Sequence, residues 1–209
     1  MKKLFKLALA VFGMALVLGG LFWASKLRNV CRETPAEALV ARQSLEEITQ
    51  EAQAVFIGRV TGISQPKLAS EGNRWSEDVL IYHEVTIKPE RFLFNAIGLA
   101  DPVKIAVLGG EVKLPREVAV KKGNPDLTRV AAAEATFEKG ERVLVFVKRG
   151  FIGYKKISGA EGKMERLALV GAWQGKFRIE GEKAINYLPT LSRTVPEIER
   201  IVEARTSAP

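Results

Sequence analysis

Side chains that commonly carry chemistry are scarce in this 209-residue sequence. It has a single histidine, His83, and a single cysteine, Cys31. Any Ser-His-Asp or Cys-His arrangement would have to use that histidine. His83 lies in "VLIYHEVTIK" (79–88), where Val79, Ile81, His83, Val85 and Ile87 alternate with Leu80, Tyr82, Glu84, Thr86 and Lys88. An imidazole on the apolar face of an alternating strand reads as a structural, hydrogen-bonded group. One imidazole with no H-x-E or D-x-D spacing makes no metal site, and one cysteine excludes a four-cysteine zinc site. Glu46–Glu47 and Glu197–Glu199 fall in expected first turns of helices, where acids complement the positive end of the dipole. Gly109-Gly110 lacks the G-K-[ST] of a phosphate loop, and no G-x-S-x-G is present. The sequence is therefore read as non-catalytic, without cofactor or metal.

One cluster has the chemistry of a binding surface. "KRGFIGYKKISGAEGKMER" (148–166) carries Lys148, Arg149, Lys155, Lys156, Lys163 and Arg166 against Glu161 and Glu165, a surplus of +4. Phe151 and Tyr154 interleave with the cations. Lys176 and Arg178, on the polar side of the next apolar-polar alternation, extend the patch. Such a surface would take an anionic polymer, a lipid headgroup or an acidic protein partner by salt-sensitive attraction, with aromatic contact. The plainer alternative is a solvated loop that keeps a β-protein soluble.

The overall charge of +8 points less strongly to nucleic acid than it first suggests. Lys2, Lys3, Lys6, Lys26 and Arg28 supply +5 unopposed, leaving +3 for residues 29–209. Those five flank an uncharged run of 19 residues, Leu7 to Ser25. At about 1.5 Å per residue a helix of that length reaches about 28 Å, close to a hydrocarbon core of about 30 Å. Cleavage at Ala24 or Ser25 would place Phe22 or Trp23 three residues back, where a peptidase needs a small side chain. Residues 1–28 are therefore expected to form a cytoplasmic tip and an uncleaved transmembrane signal-anchor, with 7–25 in the bilayer. The flanking charges are nearly balanced, and the large C-terminal part favours export of residues beyond the anchor. The alternative is secretion after signal-peptide cleavage. An exported location argues against nucleic acid. Arg28-Asn29-Val30 before Cys31 is not the small apolar run of a lipidation site, so Cys31 reads as a linker thiol.

Residues 29–43 read as a linker, and 44–209 as one domain. Ser44 and Glu47 have capping-box spacing before a short helix at 44–53. Strands are expected at 54–63, 79–88 and 103–110, and in "FEKGERVLVFVKRG", where Val143, Val145 and Val147 share a face. The stretch 111–134 is long and polar, with a short helix expected at "LTRVAAAEA". "LALVGAWQGKFRI" (167–179) alternates throughout, placing Trp173 on the core face and Gly171 and Gly175 at bends. "EGEK" turns the chain into "AINY" as a hairpin, and "TVPEIERIVEAR" closes it as a helix with a Thr194–Glu197 capping box. Five or six strands, a short N-terminal helix and a C-terminal helix suggest a mainly β, OB-like Greek-key barrel.

"AQAVFIGRVTGI", "HEVTIKPERFLFN", "FEKGERVLVFV" and "GAWQGKFRI", in that order, resemble exported bacterial domains of unassigned function built on an OB-like barrel of the netrin and tissue-inhibitor-of-metalloproteinases type. The resemblance spans about residues 44–187 and implies architecture, not activity. Those inhibitors act through a free N-terminal cysteine, and this chain's lone Cys31 follows an apolar stem. The resulting expectation is a membrane-anchored, extracytoplasmic binding module. A single-stranded nucleic-acid-binding domain and an enzyme of unseen mechanism are the alternatives.

Overall fold

The computed structural model describes residues 30–32, 41–69, 80–114, 116–121, 128–131, 135–155 and 161–206. The predicted anchor at 7–25 and most of the linker lie outside them. Among the described residues no helix is long and apolar enough to cross a membrane.

Two compact units are present. The smaller comprises Met1–Glu33 and Lys113–Val130. It contains β1 (Val30–Arg32), a short helix, and most of a strand at Thr128–Ala131 that pairs parallel with β1 from Val30↔Thr128 to Arg32↔Val130. The helix expected at "LTRVAAAEA" is thus a correction: Thr128–Ala131 is strand, and the helix lies at Arg116–Lys121. An extended partner nearly a hundred residues away supplies backbone hydrogen bonds that override the local helical preference of alanine.

The larger unit, Thr34–Val112 and Ala131–Pro209, is mainly β. Its elements are α1 (Leu45–Glu51), β2 (Ala54–Ile63), β3 (Lys67–Leu68), β4 (Ile81–Asn95), β5 (Val103–Leu108) and β6 (Gly110–Lys113). After α2 (Arg116–Lys121) and β7 (Thr128–Ala131) come β8 (Arg142–Lys155), β9 (Glu161–Leu169), β10 (Lys176–Glu180), β11 (Lys183–Ile185), β12 (Arg193–Thr194) and α3 (Val195–Thr206). A nine-stranded mixed sheet runs in the order β12-β11-β10-β8-β2-β4-β5-β9, with β3 on β4. Pairing of β9 back to β8 closes five of these strands into a ring.

The ring is not the clean barrel expected from sequence. Its β5–β9 seam is parallel and carries one register pair, Ala106↔Ala168. The sheet also continues past the ring, because β10 pairs with β8 and carries β11 and β12. In β8, Lys176↔Val145 and Arg178↔Val143 occupy the edge that a closed barrel would leave to one neighbour.

Two cores explain why β2 and β8 are apolar on both faces. Ala54, Phe56 and Val60 of β2 pack with Val143, Val145 and Val147 of β8 and with Val85, Ile87, Ile105 and Val107. The alternate residues Val55 and Ile57, with Leu144 and Phe146, pack instead with Ile48 of α1, Phe177 of β10, and Ile198 and Val202 of α3. Successive side chains of a strand point to opposite faces, so one set joins the ring strands and the other receives the helices. Phe146 and Phe177 meet with ring centroids 5.6 Å apart.

Both helices are placed by local signals. Ser44 Oγ accepts from the Glu47 N–H, and the Glu47 carboxylate accepts from the Ser44 N–H. Glu197 likewise accepts from the Thr194 N–H and hydroxyl.

Two further corrections concern strand length. The strand expected to end at Lys88 runs to Asn95, because Phe92 and Phe94 pair with Phe56 and Val55 across an irregular β2–β4 ladder. The alternation at 167–179, expected to bend at Gly171 and Gly175, is broken outright after Leu169. Gly171 (φ 58°) and Ala172 (φ 57°) turn left-handed into a 3-10 turn over Ala172–Gly175 before β10 begins. Buried Gln174 holds that turn in place. It accepts from the Gln43 N–H and donates to the carbonyls of Ala41 and Gly171.

Candidate functional site

The described part of the basic stretch 148–166 is a hairpin. β8 and β9 pair from Val147↔Leu169 outward to Lys155↔Glu161. Opposed residues share a face, so the register separates the cations. Arg149 and Phe151 stand with Leu167 and Glu165 on one face; Lys148 and Gly150 stand with Ala168 and Arg166 on the other. Lys156 lies outside the described residues, as do the side chains of Tyr154, Lys155 and Lys163.

Each described cation of the predicted patch has a carboxylate nearby. Lys148 Nζ is 2.5 Å from Glu51 Oε2, and Arg149 is 3.6 Å from Glu165. Arg166 Nε is 3.9 Å from Glu84. The hydrogen bond from Lys148 holds the Glu51 carboxyl below the usual glutamate range, against a smaller opposing effect of desolvation. Phe151, at 67% exposure, remains open to solvent on the Arg149 face. His83 is half-buried with Nδ1 3.4 Å from the Gly109 carbonyl oxygen, the structural environment its strand position implied.

Lys176 and Arg178 stand apart from Phe151, the exposed aromatic residue of this patch. They lie on β10 opposite Val145 and Val143, and Phe151 is six residues beyond Val145 along β8. At about 3.3 Å per strand residue that is about 20 Å. They line a separate open cleft of about 310 Å³ in the larger unit. Its other principal walls are Trp173 from the 3-10 turn, Glu138 and Glu141 from the segment entering β8, and Tyr187 just after β11.

Lys176 and Glu141 form the cleft's most buried ionic contact. Lys176 Nζ donates to both Glu141 carboxylate oxygens at 2.8 and 3.0 Å and to the Thr136 carbonyl. The side chains are only 14% and 8% exposed. The ammonium also lies 4.6 Å from the centroid of Phe137, a cation–π contact. Glu141 Oε2 accepts from the Glu138 N–H as well.

Asn186 is the fixed point on the opposite wall. Its Nδ2 donates to the carbonyls of Gln174 and Lys176, and its Oδ1 accepts from the Leu188 N–H. This ties the turn bearing Trp173, the strand bearing Lys176 and the segment bearing Tyr187 to one buried amide. Tyr187 is 73% exposed, yet its ring stands edge-on to Trp173 at 70° with centroids 5.3 Å apart. Trp173 is half-buried, and its Nε1 has no acceptor among the described residues. Arg178 is bound to Glu180 at 2.7 Å, but both side chains are more than half exposed. Such a pair exchanges readily with water or ligand.

Of the residues singled out from sequence, then, Lys176, Arg178 and Trp173 meet in the cleft, whereas Lys148, Arg149, Phe151 and Arg166 belong to the hairpin. Trp173 borders the ring core, as expected, and also faces the cleft. Tyr187, Glu138, Glu141 and Asn186 were missed. In the sequence Tyr187 stands only at the end of the expected hairpin, and no spacing links 138–141 to 173–187. The cleft's two aromatic surfaces and adjacent donors and acceptors suit it to bind a small polar group. No group of three His, Cys, Asp or Glu among the described residues is placed to hold a metal ion. No protein-family model matches this chain, and no curated protein sequence matches it.

Proposed function

We propose that this chain is a membrane-tethered, extracytoplasmic, non-catalytic binding module on an OB-type Greek-key barrel, with its ligand site in the Trp173–Tyr187 cleft. The strand order supports the architecture. β8 returns by a long connection to lie beside β2, so β8-β2-β4-β5 has the 4-1-2-3 order of a Greek key. The fifth ring strand, β9, sits between β8 and β5. The tether is the uncharged run 7–25, and the orientation is the one favoured for a large C-terminal domain. Protease shaving of intact cells with N-terminal sequencing of the mature chain tests both; a chain beginning after residue 28, or one protected from protease, refutes the tether or the sidedness.

The observation that carries the cleft is Tyr187: mostly exposed, yet held against Trp173 beside a fully hydrogen-bonded Asn186. An aromatic surface already ordered in the free protein loses little entropy on contact with a ligand. The test is a saturation-transfer screen of neutral, cationic and anionic fragments against the full chain in a detergent without sugar headgroups. Hits that vanish in Tyr187→Ala support the site. No hits, or hits indifferent to Tyr187, refute it.

Exposed Phe151 beside Arg149 favours a second reading, in which the β8–β9 hairpin meets a lipid headgroup, an anionic polymer or an acidic protein. This is the connection between the fourth and fifth ring strands, one that OB domains use for contact. A Lys155→Glu/Lys156→Glu variant that retains wild-type affinity for polyphosphate at low salt rejects it.

A further inference from the structure

We infer that the Trp173–Tyr187 cleft is a subsite for one or two rings of a neutral, β-linked saccharide; this rests on the cleft being the ligand site. The first reason is charge. Lys176 and Glu141 neutralise one another at short range, and Glu138 and Arg178 add one charge of each sign. Neither an anion nor a cation gains net attraction from a site so balanced.

The second reason is surface. In β-1,4-linked glucose-type rings the bulky substituents are equatorial, so the axial C–H groups form flat apolar faces edged with hydroxyls. A flat face matches the exposed ring of Tyr187, which the indole of Trp173 borders at 70°. The hydroxyl edge matches the remaining groups. Glu138 provides acceptors, and Arg178 provides a planar fork of donors paired with the exposed Glu180. Planar charged groups of this kind hydrogen-bond paired hydroxyls in parallel. A proline-rich peptide also stacks on aromatic rings, and its carbonyls can accept from Arg178, but proline has no backbone N–H to offer Glu138, and covering an unpaired carboxylate is costly.

The third reason is size. At about 310 Å³ the cleft is at the small end of ligand pockets, large enough for one or two sugar rings and too small to enclose a long oligomer. A longer glycan would run outward through the open side.

The test is calorimetric titration of the full chain, in a detergent without sugar headgroups, with cellotetraose, chitotetraose, decaproline and polyphosphate. Saturable binding of at least one tetrasaccharide is expected. Its affinity should change less than about twofold between about 0.05 and 0.5 M salt, because a neutral ligand has no charge to screen. Tyr187→Ala should weaken it about tenfold, as loss of a central aromatic contact does. Arg178→Gln, at an exposed position, should weaken it without changing the unfolding midpoint. If decaproline or polyphosphate binds in a Tyr187-dependent way and neither tetrasaccharide does, the saccharide assignment falls while the cleft remains the site. If none of the four shows Tyr187-dependent binding, both fall.

Discussion

Replacing Glu141 with glutamine should destabilise the larger unit, and the effect should depend on Lys176. Glu141 receives two hydrogen bonds from Lys176 Nζ, and the two side chains are 8% and 14% exposed. Removing one partner of a buried pair typically costs about 3–5 kcal/mol, because the other charge is left without compensation. Three features lower that here. Lys176 keeps the Thr136 carbonyl and the Phe137 ring, and its residual exposure admits water. Glutamine also retains an acceptor. The expected loss for Glu141→Gln is therefore about 2–3 kcal/mol, or about 4–12 °C in Tm for a chain of this size. Lys176→Met leaves the more buried carboxylate with the Glu138 N–H as its other short contact and should cost about 2–4 kcal/mol. The double variant carries no buried charge and sets a thioether against Phe137, so its net cost should be about 0–1 kcal/mol.

Urea unfolding followed by circular dichroism measures all four proteins, with unchanged m-values as the check that only stability has moved. The discriminating quantity is the coupling energy, expected at about 3 kcal/mol or more from these losses. If the two single losses simply add, to within about 0.5 kcal/mol, the two groups do not act as a buried pair.

Other consequences can be tested in the same way. A Cβ on Gly175 would lie 2.5 Å from the Val170 carbonyl oxygen and 2.9 Å from that of Phe146. Gly175→Ala should therefore cost at least about 1–3 kcal/mol as backbone is forced apart, and an unchanged unfolding midpoint would contradict that packing. Phe146→Ala removes a fully buried ring paired with Phe177 and should cost about 3–5 kcal/mol by chemical denaturation. Hydrogen bonds from the Thr194 backbone N–H and then its hydroxyl hold the Glu197 carboxyl below the usual glutamate value of 4.5. A depressed folded value gives stability that is complete above 4.5 and lost as the pH falls through the lower folded value. Glu197→Gln should remove this contribution from a stability-versus-pH curve; identical curves for the two proteins would exclude it.

Much of the β character was legible in the residues because it is local. The apolar run 54–63 and the alternation of Val143, Val145 and Val147 mark β2 and β8 without knowledge of their partners. Ser44–Glu47 and Thr194–Glu197 mark helix starts at a spacing of three residues. The failures came where distant pairing decided the outcome. Alanine-rich 127–135 reads as helix, yet Thr128–Ala131 is strand because Val30–Arg32 is available as a partner. The alternation through 167–179 is real on either side of Gly171, but the buried amide of Gln174 finds its partners only in the turned chain.

Charge behaved in the same way. Counting residues 148–166 showed a cationic surplus, but not that Glu51, Glu84 and Glu165 stand beside Lys148, Arg166 and Arg149. Nor could order along the chain show that Lys176 faces Glu141 or that Tyr187 reaches Trp173. Strand periods, helix caps and the apolar N-terminal run depend on neighbours a few residues apart, so composition and spacing are enough to reveal them. The cleft depends on β10 pairing along the edge of β8 and on Asn186 tying three segments together. Those contacts are non-local, and only folding brings their members within hydrogen-bonding distance.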